Sequence, residues 1–191
     1  MKSSKIALFA LPAIVALLSI SVLATSIQTT PVSVPNFADR STVTGHVILQ
    51  VFDTQTGELK YKLENHNLVV DVGLDEMAEA VFGVGGVGTT SFDFIEIGTG
   101  TTAPLATNVA IETSACARIQ DVAPDVNSLT SGETSVSVIS SFDGGTCTGA
   151  ITEAGIFNVI SAGQMLARST FGAVTIGAGD TLNVNYTITI T

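Results

Sequence analysis

From residue 43 onward apolar positions recur mostly at every second residue, the period of a half-buried β-strand. VTGHVILQVF (43–52) places Val43, Val47, Leu49 and Val51 on one face, and DTQTGELKYKLE supplies a turn around Asp53 to Gly57 and a returning strand. A β-hairpin is expected there. Further strands are expected at FDFIEIG (92–98), IETSACARIQ (111–120), ETSVSVISSF (133–142), AITEAGIFNV (150–159), MLARSTF (165–171) and TLNVNYTITIT (181–191). In the last, Leu182, Val184, Tyr186, Ile188 and Ile190 alternate with Thr and Asn without a fault, so one face is buried. Only one stretch has helical period: from about Val72 to Phe82, Leu74, Met77, Ala78, Val81 and Phe82 form an apolar stripe expected to cover one end of the β core. Asp71 is placed to cap this helix, Asp75 and Glu76 suit its positive end, and Gly83 can stop it. About eight short strands separated by Gly, Asp and Asn turns predict a mainly β chain, a β-sandwich of jelly-roll type with one short amphipathic helix.

The first forty residues follow another pattern. Lys2 and Lys5, an apolar run from Ile6 to Leu23 and small residues ending at Ala24 read as a secretory signal peptide, residues 1–24. The alternative is an uncleaved membrane anchor, since about eighteen apolar residues just span a bilayer. Residues 25–42 follow, with Pro31 and Pro35 interrupting Ile27, Val32 and Val34, and read as an extended leader or donor strand for assembly. A single β-sandwich domain is assigned to 43–191. Cleavage after Ala24 leaves 191 − 24 = 167 residues, enough for one sizeable core.

Charge narrows the partners. Without Lys2 and Lys5 the chain has 7 − 2 = 5 basic residues against 17 acidic ones, a formal charge of −12. That surface repels phosphate backbones, so no nucleic acid partner is expected. Membrane contact is expected only through the signal peptide if it is retained. Cys116 and Cys147, in a chain expected outside the cytoplasm, are assigned to a disulfide, because no His or Cys lies near them at zinc-site spacing.

Candidate chemistry is sparse. Gly83 to Gly88 satisfies a GxGxxG string, but a helix precedes it and a strand follows, the reverse of a dinucleotide-binding loop. It is read as a connector. His46 and His66 are the only histidines, and neither adjoins a nucleophile in a recognisable context. No cofactor is expected. Asp121 and Asp125 with Asn127, or Asp71 with Asp75, offer oxygen ligands for calcium without the spacing of a calcium loop. Asn185-Tyr186-Thr187 is a glycosylation acceptor sequence lying within a strand.

Four segments together resemble a known type of domain. FIEIGTGTTAP (94–104), GAITEAGIFN (149–158), MLARSTF (165–171) and DTLNVNYTIT (180–189) resemble, in order and wording, a phage tail-fibre or tail-collar β-domain, and are similar to uncharacterised secreted archaeal surface proteins. The resemblance covers about residues 66–191. It implies a structural or adhesive role, with no catalytic residue to carry over. The signal peptide and the two cysteines depart from the virion pattern and point to a secreted surface component.

Glu153, a lone carboxylate inside ITEAGIFN, focuses the choice between enzyme and structure. Alternation puts Ile151, Glu153 and Gly155 on one strand face and Thr152, Ala154 and Ile156 on the other. No second carboxylate lies within a few residues to make an acid/base pair, so Glu153 is expected to accept backbone N–H bonds from a turn such as Gly98 to Thr102. The resulting expectation is a non-enzymatic, extracellular or cell-surface structural protein that self-assembles into a homo-oligomer, filament, sheath or fibre. The alternatives are an adhesion or glycan-binding module acting through loops 83–91 and 143–149, or a virion tail-fibre-type protein. A sugar platform needs exposed aromatic rings, and the chain has no Trp and only Tyr61 and Tyr186 as tyrosines.

Overall fold

The computed structural model describes residues 42–82, 91–128 and 133–191. The signal peptide, the leader with Ile27, Val32 and Val34, and Gly83 to Gly88 lie outside the described residues. Among the described residues nine strands and one helix follow in order: β1 (Val43–Asp53), β2 (Leu59–Val69), α1 (Asp71–Phe82), β3 (Phe94–Gly98), β4 (Ile119–Gln120), β5 (Asp125–Ser128), β6 (Thr134–Asp143), β7 (Gly149–Phe157), β8 (Met165–Ile176) and β9 (Asp180–Ile190).

The mainly β class is as expected, but the strands form one antiparallel sheet, in the order β4-β3-β7-β8-β2-β1-β9-β6-β5, where two jelly-roll sheets were anticipated. The sheet curls into a half-barrel. Its turning point is the junction of β2 and β8, which pair only through Leu68 with Arg168 and Val69 with Ala167. Beyond that junction the halves swing round to face each other. Val47 and Leu49 of β1, Val184 and Tyr186 of β9 and Phe142 of β6 are buried on one side, against Ile95 and Ile97 of β3, Ile151 and Ile156 of β7 and Val174 of β8. The curl brings the two ends of the sheet together along a seam. There the Ile139 N–H donates to Asp121 Oδ2 at 2.8 Å, the Ser140 hydroxyl donates to the Ile119 carbonyl at 3.0 Å, and the Cys116–Cys147 disulfide ties the approach to β4 to the β6–β7 turn.

Three local expectations change. IETSACARIQ is a strand only at Ile119–Gln120, with an isolated bridge from Ser114 to Gly98, because the backbone around Glu112 and Thr113 bonds a side chain instead of a ladder. In β7 the pairing with β8 shifts register between Ile151 and Glu153, so Ile151 joins Ala154 and Ile156 in the main core while Glu153 does not. The helix forms where its period predicts, but the Val70 carbonyl, not Asp71, receives its first bonds, from the Gly73 and Leu74 N–H groups. Nor is its stripe all core. Leu74, Val81 and Phe82 are exposed, Met77 is part-buried against the core, and Gly73 is the buried contact. A Cβ at Gly73 would meet Leu166 Cα at 2.5 Å, so the helix rides on β8 backbone to backbone.

Candidate functional site

Outside the main core, the β3-β7-β8 part of the sheet has a second buried face. Val70, Phe157 and Met165, with Val72, Phe94 and Ile111 packed on them, form a small apolar cluster there. Beside it Glu153 is fully buried, and Arg168 is 2% exposed. Burying a charge in such a place is costly unless hydrogen bonds and a counter-charge compensate.

Both compensations are present. Glu153 Oε1 accepts the Gly100 N–H at 2.8 Å and the Thr113 N–H at 2.8 Å. Glu153 Oε2 accepts the Glu112 N–H at 2.9 Å and two Arg168 nitrogens, Nε at 3.0 Å and Nη2 at 2.8 Å. Five donors converge on one carboxylate. The carboxylate therefore does for the backbone at Gly100, Glu112 and Thr113 what a neighbouring strand would do. Burial pushes the Glu153 carboxyl upward, but the Glu112, Thr113, Arg168 and Gly100 donors together outweigh it and hold its pKa below the usual glutamate value.

The network extends outward. Glu112 turns its own carboxylate back on the loop, accepting the Thr101 and Thr102 N–H groups and the Thr102 hydroxyl, and sits 3.6 Å from Arg168 Nη2. Arg168 Nη1 donates to Asn108 Oδ1, which also receives the Leu105 N–H. Small residues let the loop approach so closely: a Cβ at Gly98 would meet Glu153 Oε1 at 2.7 Å, and one at Gly100 would strike the same oxygen. On the opposite side of β7 the Tyr186 hydroxyl donates to the Ala154 carbonyl at 2.7 Å across the core. Burial first, and then the Glu153 charge, push the Tyr186 phenol up, so it remains a neutral donor.

Four separate stretches of the sequence, 94–104, 149–158, 165–171 and 180–189, thus meet around β7. Gly98 and Gly100 come from the first, Glu153 and Ala154 from the second, Arg168 from the third and Tyr186 from the fourth. Glu112 and Arg168 were not singled out from the sequence, and Tyr186 was read there as a core position of its strand, not as a partner of this network. The readable signal was a pair of opposite charges, Glu153 and Arg168, each the single charged residue of its strand.

Other candidates lie apart from this network. His46 and His66 pair across β1 and β2 with ring centroids 5.7 Å apart, and His46 Nε2 lies 3.9 Å from Glu64. Asp121 spends its carboxylate on the Ala123 and Ile139 N–H groups. Among the described residues no group of three or more His, Cys, Asp or Glu is placed to hold a metal ion. Asn185 lies mid-strand, paired with Ile48 on one side and Ile139 on the other. Tyr186 is buried, which leaves Tyr61, 44% exposed, as the accessible tyrosine among the described residues. The 143–149 segment is a tight turn closed on Asp143, whose carbonyl accepts the Thr146 and Cys147 N–H groups. No described helix is long and apolar enough to cross a membrane.

Comparison with known proteins gives no matching family model, no matching curated protein and no matching solved structure.

Proposed function

We propose that this chain is a secreted, non-enzymatic structural protein, a subunit that assembles with copies of itself into an extracellular filament, sheath or fibre. One observation carries the reading: Glu153, the most deeply buried acid among the described residues, gives both oxygens to five structural donors and is closed to solvent. A carboxylate so engaged braces a loop and has neither a lone pair nor an approach to offer a substrate. The disulfide and the ion-pair network are the bracing of a domain built for persistence outside the cell. Exposed apolar side chains at Val122, 87% exposed, Val126, 69%, and Ile139, 44%, gather near the seam, where a self-contact would cover them. In this reading the facing halves of the sheet are the two layers of a jelly-roll-like sandwich, joined through β2 and β8. The test is size: the mature chain, purified from the medium, is examined by multi-angle light scattering and negative-stain microscopy. Ordered polymers support the proposal, and a monodisperse monomer at all concentrations overturns it.

A further inference from the structure

Where the seam is not sealed, it opens into an apolar groove of about 320 Å³, lined by Met77 of α1, Phe92, Val126 of β5, Val136 of β6 and Ile190 of β9 among others. Among the described residues no charged side chain lines it. β5, the last strand of the sheet among the described residues, runs along its rim, and the described ladder pairs it with β6 alone. We propose that this groove receives the leader of a second copy of the chain, which adds as a strand to the outer edge of β5 and seats Val32 and Val34 among the groove residues. The inference rests on the assembly reading above and names the contact that makes it.

Charge is the first argument. The chain carries a formal charge of −10, so two copies repel through most of their surfaces. Residues 25–38, TSIQTTPVSVPNFA, contain no charged side chain, and neither does the groove. These are matched uncharged surfaces on an acidic protein, and docking one in the other sets no like charges side by side.

The second argument is the parity of the prolines. Along an extended strand, backbone N–H groups point alternately to the two sides, so residues 31, 33 and 35 share one side and 32 and 34 the other. Pro31 and Pro35, which have no N–H, both fall on the odd side. With Val32 and Val34 donating toward β5, both prolines face outward, as an edge strand tolerates, and they also deny that new edge to further strands. Val32 and Val34 then point to the same face, toward the groove.

Reach is the third. Val43 pairs with Ile190, which lines the groove, so the leader departs close to its own domain's groove mouth. Residues 25–41 number 41 − 25 + 1 = 17 and span at most about 60 Å when extended, several times the ~15 Å radius of gyration of a domain of this size. The leader is therefore long enough to cross to a neighbour. A contact in which each copy gives a strand to the next propagates head to tail.

The experiment uses two variants of the full mature chain. One carries Val32→Asp and Val34→Asp in the leader. The other carries Val126→Asp at the groove rim, a position exposed enough to leave the fold intact. Each alone is expected to be monomeric by light scattering, because one lacks a donor and the other an acceptor. Mixed in equal amounts they are expected to double in mass, to a dimer of one of each, since one intact leader and one intact groove remain. Variants that polymerise like the parent overturn the groove assignment while the assembly reading stands. Variants that stay monomeric when mixed show that each leader serves its own domain, and overturn it too. A parent chain that never assembles removes the assembly reading itself. The leader variant lies outside the described domain, so its result holds even if Val126→Asp misfolds.

Discussion

The Arg168 guanidinium meets Glu153 with two nitrogens on one oxygen, Nε at 3.0 Å and Nη2 at 2.8 Å, on neighbouring strands and out of reach of water. The two residues are not register partners, since Arg168 lies opposite Gly155 and Glu153 opposite Thr170, so the bond runs diagonally across the β7–β8 ladder. A pair placed this way pins the register of both strands and the loop above them.

Removing either member leaves the other charged and buried. Arg168→Ala and Glu153→Ala are each expected to destabilise the domain by about 3–5 kcal/mol. The glutamate change is expected to cost more, because the Gly100, Glu112 and Thr113 N–H groups lose their acceptor as well. Urea unfolding of the purified variants checks both the size and the order of these losses.

Acid should act through the same group. Glu153 is held below its ordinary value, burial opposing and the Glu112, Thr113, Arg168 and Gly100 donors prevailing; Glu112 is held low mainly by the Thr102 N–H and hydroxyl. A carboxyl depressed in the folded state contributes fully above its unfolded value, about 4.3 for glutamate, and loses that contribution as pH falls through the folded value. Stability should therefore be flat from neutrality to about pH 5 and fall steadily below about pH 4. Glu153→Gln should flatten that acid limb, as read from melting temperatures between pH 2 and 7.

The helix glycine gives a prediction opposite in sign to propensity. Alanine is the better helix former by about 1 kcal/mol. At Gly73, however, an added methyl would press on the Leu166 backbone and on the Met165 carbonyl at 2.9 Å. Gly73→Ala is expected to lower stability by about 1–3 kcal/mol, with α1 pushed off β8. Thermal melts and amide exchange at Val70 to Leu74 measure it.

How much of this was legible is best seen in β9 and in residues 111–118. The period-2 run from Leu182 to Ile188 reads directly as a strand with one buried face, and Leu182, Val184, Tyr186 and Ile188 are buried as that period requires. Local pattern sufficed because β9 lies between β1 and β6 and its pairing is regular. IETSACAR alternates almost as well, yet its backbone bonds a glutamate some forty residues away, and no local pattern encodes a side chain that replaces a strand. Glu153 was conspicuous as a charge in an apolar run; its partner Arg168 was equally so, and only their adjacency was hidden. The helix was placed by its period, but which face is covered depends on Gly73 meeting β8, a contact that carries no hydrophobic signal.

The disulfide closes a loop between positions 31 residues apart, with Cα atoms 5.7 Å from each other. By the chain-entropy estimate its loss removes about 3–4 kcal/mol. Thiol titration of the denatured, unreduced protein should find no free thiol per chain, and reduction should lower the melting temperature. Reduction should also loosen the seam first, raising amide exchange at Ile139 ahead of β1 and β9.

Thr42 and Thr191 bond backbone to backbone in both directions, at 2.9 and 3.0 Å, so the polypeptide meets and leaves the folded domain side by side. A pull applied between those two residues parts the β1–β9 ladder rung by rung and needs little force. A pull that arrives through a strand seated beside β5 and leaves through residue 42 runs along the strand axes instead. Such a load crosses the four residue pairs of β5 with β6, the ten of β6 with β9 and the eleven of β1 with β9 in series, so the β1–β9 ladder is loaded in shear and the short β5–β6 ladder sets the limit. The same ladder is a zipper for one direction of tension and a cable for the other.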